Sequence, residues 1–310
     1  MKPKYSNNCL KLMHHPERIR EIKDRIFRPI TLQFSLTDRC NLNCDFCANQ
    51  NRTQQEFASG EVYDLLKVFS QMGAISVEFT GGEPTLHPAI EWIIESAANM
   101  GYAIGIKTNG INLRERLSTH TLFSLSWLRV SMNTLDTGRE LDLTGVSAMT
   151  TLGFSYVIDE NTKEKSLLKL HEYVKRYDPE YVRVIPDHRL KPEIREYACA
   201  KVMQSPVMHT KELFLDNRDL SIPEHCMIPY LHPYISPDHF VYACCATQMW
   251  SEERRKQARI CSTNADDIRE TWARPKPFDS DKCRGMFCPF KAHNELLNYL
   301  SNDTVHNLFV

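Results

Sequence analysis

Residues 30–186 predict an α/β fold in which a parallel sheet is covered by helices. Two observations carry this reading. Short apolar runs recur six times, at 30–36, 75–80, 103–108, 127–132, 153–158 and 181–185. Segments of helical period separate them, at 59–72, 88–100, 112–120 and 162–177, with a less regular one after 132. Repeated strand–helix alternation lays successive strands side by side and parallel, because each helix carries the chain back across the sheet. A third observation sets the remainder apart. Periodicity fades after Pro186, and six of the eleven cysteines fall between 226 and 288. Residues 206–310 therefore read as a small cysteine-rich α+β extension, with a boundary near 205.

Taken in order, residues 1–29 form an N-terminal extension. Ile19, Ile22 and Ile26 recur at helical spacing over 16–28, with Pro16 in the first turn and Pro29 as the stop. Acids interleave with the basic residues there, which describes a solvated helix face better than a grip on nucleic acid. The helix at 59–72 is bounded by Ser59 and Gly73, and that at 88–100 is stopped by Gly101. In the extension, Asp238-His239 between alternating apolar residues predicts a hairpin turn in which His replaces the favoured Gly.

Composition narrows the function classes. Apolar content of 42% with 25% charged residues is that of an ordinary globular chain, and a net charge of −1 draws it to neither nucleic acid nor membrane. No apolar run is long enough to span a bilayer, and the first residues lack the apolar core of a signal peptide. These features point to the cytoplasm. Eleven cysteines in a reducing compartment favour metal binding over disulfides. Cys9 and Cys199 stand apart from the clusters and read as buried free thiols.

The first cluster is Cys40-Asn41-Leu42-Asn43-Cys44-Asp45-Phe46-Cys47, on the loop leaving the first strand. Three soft thiolates without a fourth can hold three corners of a metal centre and leave one position open. Half a zinc site and disulfides are the alternatives. Directly after the second strand comes Gly81-Gly82-Glu83-Pro84, where glycines permit close backbone approach and a carboxylate can accept from an ammonium group.

The C-x3-C-x2-C spacing, with Phe46 before the last cysteine and the glycine-rich segment following, resembles the signature of the radical S-adenosylmethionine (SAM) superfamily. The resemblance implies that Cys40, Cys44 and Cys47 hold three irons of a [4Fe–4S] cluster whose fourth iron chelates SAM. It implies that Gly81, Gly82 and Glu83 bind the SAM amino group, with Phe46 against the cluster or the adenine. Thr108 and Asn109, in a "TNG" segment, and Ser131 and Asn133 would bond the ribose and carboxylate. It also implies a partial (β/α)6 TIM-like barrel over 30–205, whose reactive face lies at the C-terminal strand ends. Both motifs fall there. Arg183, between Val182 and Val184, points into such a barrel if the valines face the helices. It would meet a carboxylate or phosphate, or a buried acid of the barrel. Lys107 and Arg129 are further inward candidates.

The extension resembles the SPASM/twitch extensions of the same superfamily, in the short form with one auxiliary [4Fe–4S] cluster. That resemblance implies Cys226, Cys244, Cys283 and Cys288 as ligands. Cys245 can exchange roles with Cys244, Cys261 reads as packing, and a zinc ribbon is the alternative. The implied activity is reductive cleavage of SAM to a 5′-deoxyadenosyl radical and hydrogen abstraction from a substrate, giving oxidation, bond formation or rearrangement. A flavodoxin or ferredoxin would supply the electron. A small polar metabolite suits the compact chain. A nucleobase in DNA or RNA, with Arg254, Arg255, Lys256 and Arg259 tracking phosphates, is a second substrate class, and a ribosomal peptide a third. A zinc-stabilised binding protein is the non-enzymatic alternative.

Overall fold

A computed structural model describes residues 9–49, 52–187, 189–206, 213–215, 222–286 and 288–301. The N-terminal helix α1 (Pro16–Lys23) is shorter than its spacing predicts. Arg25 adopts φ 59°, and the N–H groups of Arg25 and Ile26 fold back onto the carbonyls of Ile22 and Glu21. That pair of bonds closes the helix in a Schellman turn with arginine where glycine is usual. Ile26 is left exposed, and Phe27 is buried in its place.

The strand–helix series follows: β1 (Thr31–Thr37), α2 (Ser59–Gln71), β2 (Ser76–Gly81), α3 (Ile90–Asn99) and β3 (Ala103–Thr108). The polar helix expected near 112–120 is two short ones, α4 (Leu113–Arg116) and α5 (Thr119–Phe123). Ser118 divides them, its hydroxyl accepting from the Thr121 N–H as an N-cap. After β4 (Trp127–Ser131) the irregular segment forms two 3-10 turns in place of a helix. Then come β5 (Thr151–Ile158), α6 (Glu164–Tyr177), β6 (Tyr181–Pro186), α7 (Pro192–Met203) and a strand that the sequence did not announce, β7 (Leu213–Leu215). All seven strands pair in order and in parallel, and the sheet does not close.

The extension joins this sheet. After α8 (Ile228–Leu231), β8 (Tyr234–Ser236) runs parallel to β1 and turns through Asp238-His239 into β9 (Phe240–Tyr242). His239 holds φ 61°, the left-handed conformation for which glycine is favoured. Beyond α9 (Glu252–Lys256), β10 (Arg259–Ser262) completes the order β10-β9-β8-β1-β2-β3-β4-β5-β6-β7. Two last helices, α10 (Ala265–Ala273) and α11 (Lys291–Ser301), follow.

Alternation along the strands divides the molecule into two environments. Leu32, Phe34, Leu36, Val77, Phe79, Ile104, Ile106, Leu128, Val130, Phe154, Val182 and Val184 face the helices and are buried in one core with Leu66, Phe69, Ile93 and Leu170. Each such side chain contributes about 1.5–3 kcal/mol by leaving water. The intervening residues, among them Gln33, Ser35, Glu78, Lys107, Arg129, Ser131, Ser155 and Arg183, line the concave face. A polar lumen inside an apolar jacket is the result. At the N-terminal mouth it opens into a cavity of about 330 Å³ lined by Glu78, Trp127, His232 and His293.

Candidate functional site

Cys40, Cys44 and Cys47 are half-buried free thiols on the loop that leaves β1. The loop is anchored at its root by the buried Asp38, whose carboxylate accepts from Asn49 Nδ2 at 3.0 Å and Thr53 Oγ1 at 2.8 Å. It returns to the sheet where Glu56 bridges Thr37. Burial pushes the Cys44 thiol up to about 11, with Cys47 and Cys40 adding to the rise. Three soft sulfurs whose charges oppose one another are the donor set that a cationic iron–sulfur centre satisfies, so the residues fit the cluster.

The glycine-rich segment packs directly beneath. A Cβ on Gly82 would lie 2.2 Å from the Arg39 carbonyl oxygen, and one on Gly81 would lie 2.4 Å from that of Thr37. The N–H groups of Gly82 and Glu83 donate to the carbonyls of Thr37 and Arg39, both at 2.7 Å. The glycines thus let β2 approach the root of the cysteine loop. Glu83 faces inward, is 1% exposed, and accepts from Thr85 N, Thr85 Oγ1, Thr108 Oγ1 and Asn109 N. Burial pushes its carboxyl up, while these donors pull the other way. Three of the four bonds fall on Oε1, so the carboxylate ties the end of β3 to that of β2. Thr108 is spent in that bond. Asn109 reaches the other way, donating through Nδ2 to Asn41 Oδ1 at 2.7 Å and lying 3.9 Å from Cys40 Sγ.

Phe46 carries the cysteine loop across to β4 and β5, where it lines a cavity of about 270 Å³ with Asn133, Asp136, Tyr156, Val157 and Asp159. Asn133 spends its amide on Val157, donating to the carbonyl at 2.9 Å and accepting the N–H at 2.7 Å. Ser131 precedes the first 3-10 turn without capping it. Asp136, held by Tyr156 Oη, is a cavity residue that the sequence reading missed. Its only signal was its place three residues after Asn133.

Below these ends the lumen carries charged side chains. Lys107 donates to Glu78 at 2.5 Å. Burial pushes the Glu78 carboxyl up, but Lys107, His232 and Arg129 outweigh it and hold it at about 2. Burial lowers Lys107, Glu78 offsets only part of that, and Arg129 adds to the lowering. The acid has Lys107 and Arg129 as cationic neighbours, whereas Lys107 faces one acid and a further cation. Arg183 is 8% exposed between the core valines. Arg129 and Arg183 both repel the charge of Lys11.

In the extension, Cys226 lies at a bridge to Phe278, and Asn294 Nδ2 lies 3.5 Å from its sulfur. Asn294 was not singled out from sequence. Burial pushes the Cys226 thiol up to about 12, with Cys288 and Cys283 adding to it. Cys244 is raised by burial and then by Cys245, Cys226 and Cys283. Cys226, Cys244, Cys245, Cys283 and Cys288 therefore share one locality. Cys245 also acts on Lys107 and Tyr234, on the lumen side. Cys261 neighbours Thr271 and Asp267. Cys9 and Cys199 are half-buried, not fully buried. Among the described residues no three His, Cys, Asp or Glu are placed to hold a single metal ion. Ligands of a four-iron cluster each bind a different iron and so stand farther apart than those of one ion.

The basic residues of α9 and β10 are occupied. Arg255 is buried, bonded to Ser236 and paired with Asp238, and Arg259 pairs with the same acid. Arg254 donates to the carbonyls of Lys282 and Arg284, on either side of Cys283, and Lys256 pairs with Glu252. No described helix is long and apolar enough to cross a membrane.

Residues 34–144 match the sequence profile of the Radical SAM superfamily. A GTP 3′,8-cyclase of Aquifex aeolicus is 34% identical over 122 residues, which span 36% of this chain and 38% of that enzyme. The chain thus matches well under half the length of that relative. A probable GTP 3′,8-cyclase of Methanosarcina acetivorans is 21% identical over 298 residues, covering 86% of this chain and 89% of the relative. Among solved structures, Streptococcus suis SuiB bound to its precursor peptide SuiA superposes with a TM-score of 0.60 at 15% identity, over 92% of this chain and 73% of that one. The profile match spans the cysteine loop and the first four strands, so residues 34–144 carry a Radical SAM domain, and the solved structure shares the fold.

Proposed function

We propose that this protein is a radical SAM enzyme acting on a small, polar, anionic metabolite. Cys40, Cys44 and Cys47 would hold the SAM-binding [4Fe–4S] cluster, and Cys226, Cys244, Cys283 and Cys288 an auxiliary one. When bound, the reduced cluster and SAM supply a 5′-deoxyadenosyl radical that removes a hydrogen atom from substrate. The observation that carries the reading is the convergence on Asn109. Its backbone is held by Glu83, and its side chain reaches Asn41 and Cys40. One residue thereby fixes the glycine-rich segment, the end of β3 and the cysteine loop relative to one another. Positioning of this kind is what the protein contributes to radical chemistry.

Phe46, Asn133 and Asp136 would orient SAM where their cavity adjoins the loop. Lys107, Arg129 and Arg183, with Glu78 as the acid among them, favour a substrate carrying phosphate or carboxylate. GTP, named for the curated relatives, is the first compound to offer. The occupied arginines of α9 and β10 give no support to a nucleic-acid substrate. An external one-electron donor of the flavodoxin or ferredoxin class would reduce the cluster.

The test is anaerobic reconstitution followed by metal analysis and measurement of 5′-deoxyadenosine. About eight irons and eight sulfides per chain, with 5′-deoxyadenosine released from SAM under reduction, support the reading. Zinc without iron sinks it.

A further inference from the structure

We propose that Arg52 is a positioning residue that sets the reduction potential of the cluster at Cys40, Cys44 and Cys47. The inference rests on that ligand assignment. The guanidinium lies across the cysteine loop: Nη1 donates to the Leu42 carbonyl at 2.6 Å and Nε to that of Asn49 at 3.0 Å. With those two directions fixed, Nη2 is aimed at Cys47 Sγ, 3.4 Å away. The cation reaches beyond that one sulfur. Its charge also acts on Cys40 and Cys44. The acids facing the same sulfurs are the buried Glu83 and the exposed Asp45, and they act in the opposite sense.

One-electron reduction of a cluster adds a negative charge to a group that is already anionic through its thiolates. A cation fixed by two backbone carbonyls, with an N–H directed at a ligand sulfur, stabilises the reduced form more than the oxidised one. Arg52 therefore raises the potential and eases reduction by the external donor. The planar fork is essential. A lysine ammonium can supply charge but cannot span Leu42, Asn49 and Cys47 with fixed directions.

The experiment is a redox titration of full-length, anaerobically reconstituted protein followed by electron paramagnetic resonance. It reads the signal that changes when SAM is added, in the parent, Arg52→Gln and Arg52→Lys. Arg52→Gln is expected to keep the parent's iron content. At the parent's midpoint, its ratio of reduced to oxidised cluster should fall about tenfold. Arg52→Lys should fall between the two. An unchanged ratio in Arg52→Gln overturns the proposal. Loss of iron in Arg52→Gln alongside a parental ratio in Arg52→Lys also overturns it, since Arg52 would then only support the loop. If the parent itself shows no SAM-responsive signal, the ligand assignment fails and the inference falls with it.

Discussion

Glu83 and Asn109, 26 residues apart, are joined by a 2.7 Å bond from the backbone N–H of Asn109 to the Glu83 carboxylate. The acid is buried and takes further bonds from Thr108 and from Thr85. Removing it leaves several donors buried without an acceptor, and an unpaired buried donor costs more than a hydrogen bond gains. Glu83→Ala is expected to lose about 3 kcal/mol or more of stability. Glu83→Gln should fall between, since its amide oxygen serves one set of donors while its NH2 group meets the other. Chemical denaturation of the two variants checks the order. Equal stability of Glu83→Gln and the parent would refute the role assigned to the carboxylate.

Gly82 has a different kind of necessity. A methyl group there would press on backbone oxygens of Arg39 and Asp38, at 2.2 and 2.6 Å, and neither can swing aside as a side chain would. Gly82→Ala should cost about 3 kcal/mol and lower iron loading at the adjacent cysteine loop. Gly60, in the first turn of α2, has open space where a methyl group would sit, with nothing within 4 Å. Gly60→Ala is therefore the control, expected to stabilise by up to about 1 kcal/mol. Parallel thermal melts and iron assays separate the two.

These pairings mark how far the sequence could be read. Strands β1 to β6 were legible because each carries an unbroken or alternating apolar run. The cysteine loop and the Gly81–Pro84 segment were legible because their chemistry is local. What the sequence concealed depends on contacts across the fold. Nothing near Glu83 announces that its partners would come from β3, and nothing near Arg52 names Leu42 and Asn49 as acceptors. The early end of α1 was hidden because arginine, not glycine, takes the left-handed position at residue 25. The basic run at 254–259 read as solvated or phosphate-tracking. Two of its arginines instead converge on Asp238, which in sequence served only as a turn residue.

Glu78 controls the charge of the lumen. Its carboxyl is held at about 2 against an ordinary 4.5. A carboxyl depressed on folding contributes stability that is complete above its unfolded value and lost as pH falls through the folded one. That contribution should disappear between about pH 4.5 and pH 2. Glu78→Gln removes it at neutral pH, at a cost of about 2–3 kcal/mol once partial exposure of the pair is allowed for. It also leaves Lys107 facing Arg129 without its acid. Inorganic phosphate should therefore raise the melting temperature of Glu78→Gln more than that of the parent. An equal response in both proteins would argue against an anion-binding lumen.

Cys244 and Cys245 are adjacent, and Cys245 packs against the same buried cluster as Cys226 and Cys283. Cys244 feels Cys226 and Cys283, whereas Cys245 acts on Lys107 and Tyr234. Cys244 lies at the start of a 3-10 turn, and its carbonyl accepts both the N–H and the hydroxyl of Thr247. Cys244→Ala is expected to lose the auxiliary cluster, about half of the iron in a two-cluster protein, while the SAM-responsive signal persists. Cys245→Ala should keep the full iron content, because Cys244 is the proposed ligand. Cys44→Ala completes the set by removing the SAM-responsive signal and sparing the rest. Iron analysis of the three variants checks the assignment. If Cys245→Ala loses iron and Cys244→Ala does not, the two cysteines have exchanged roles.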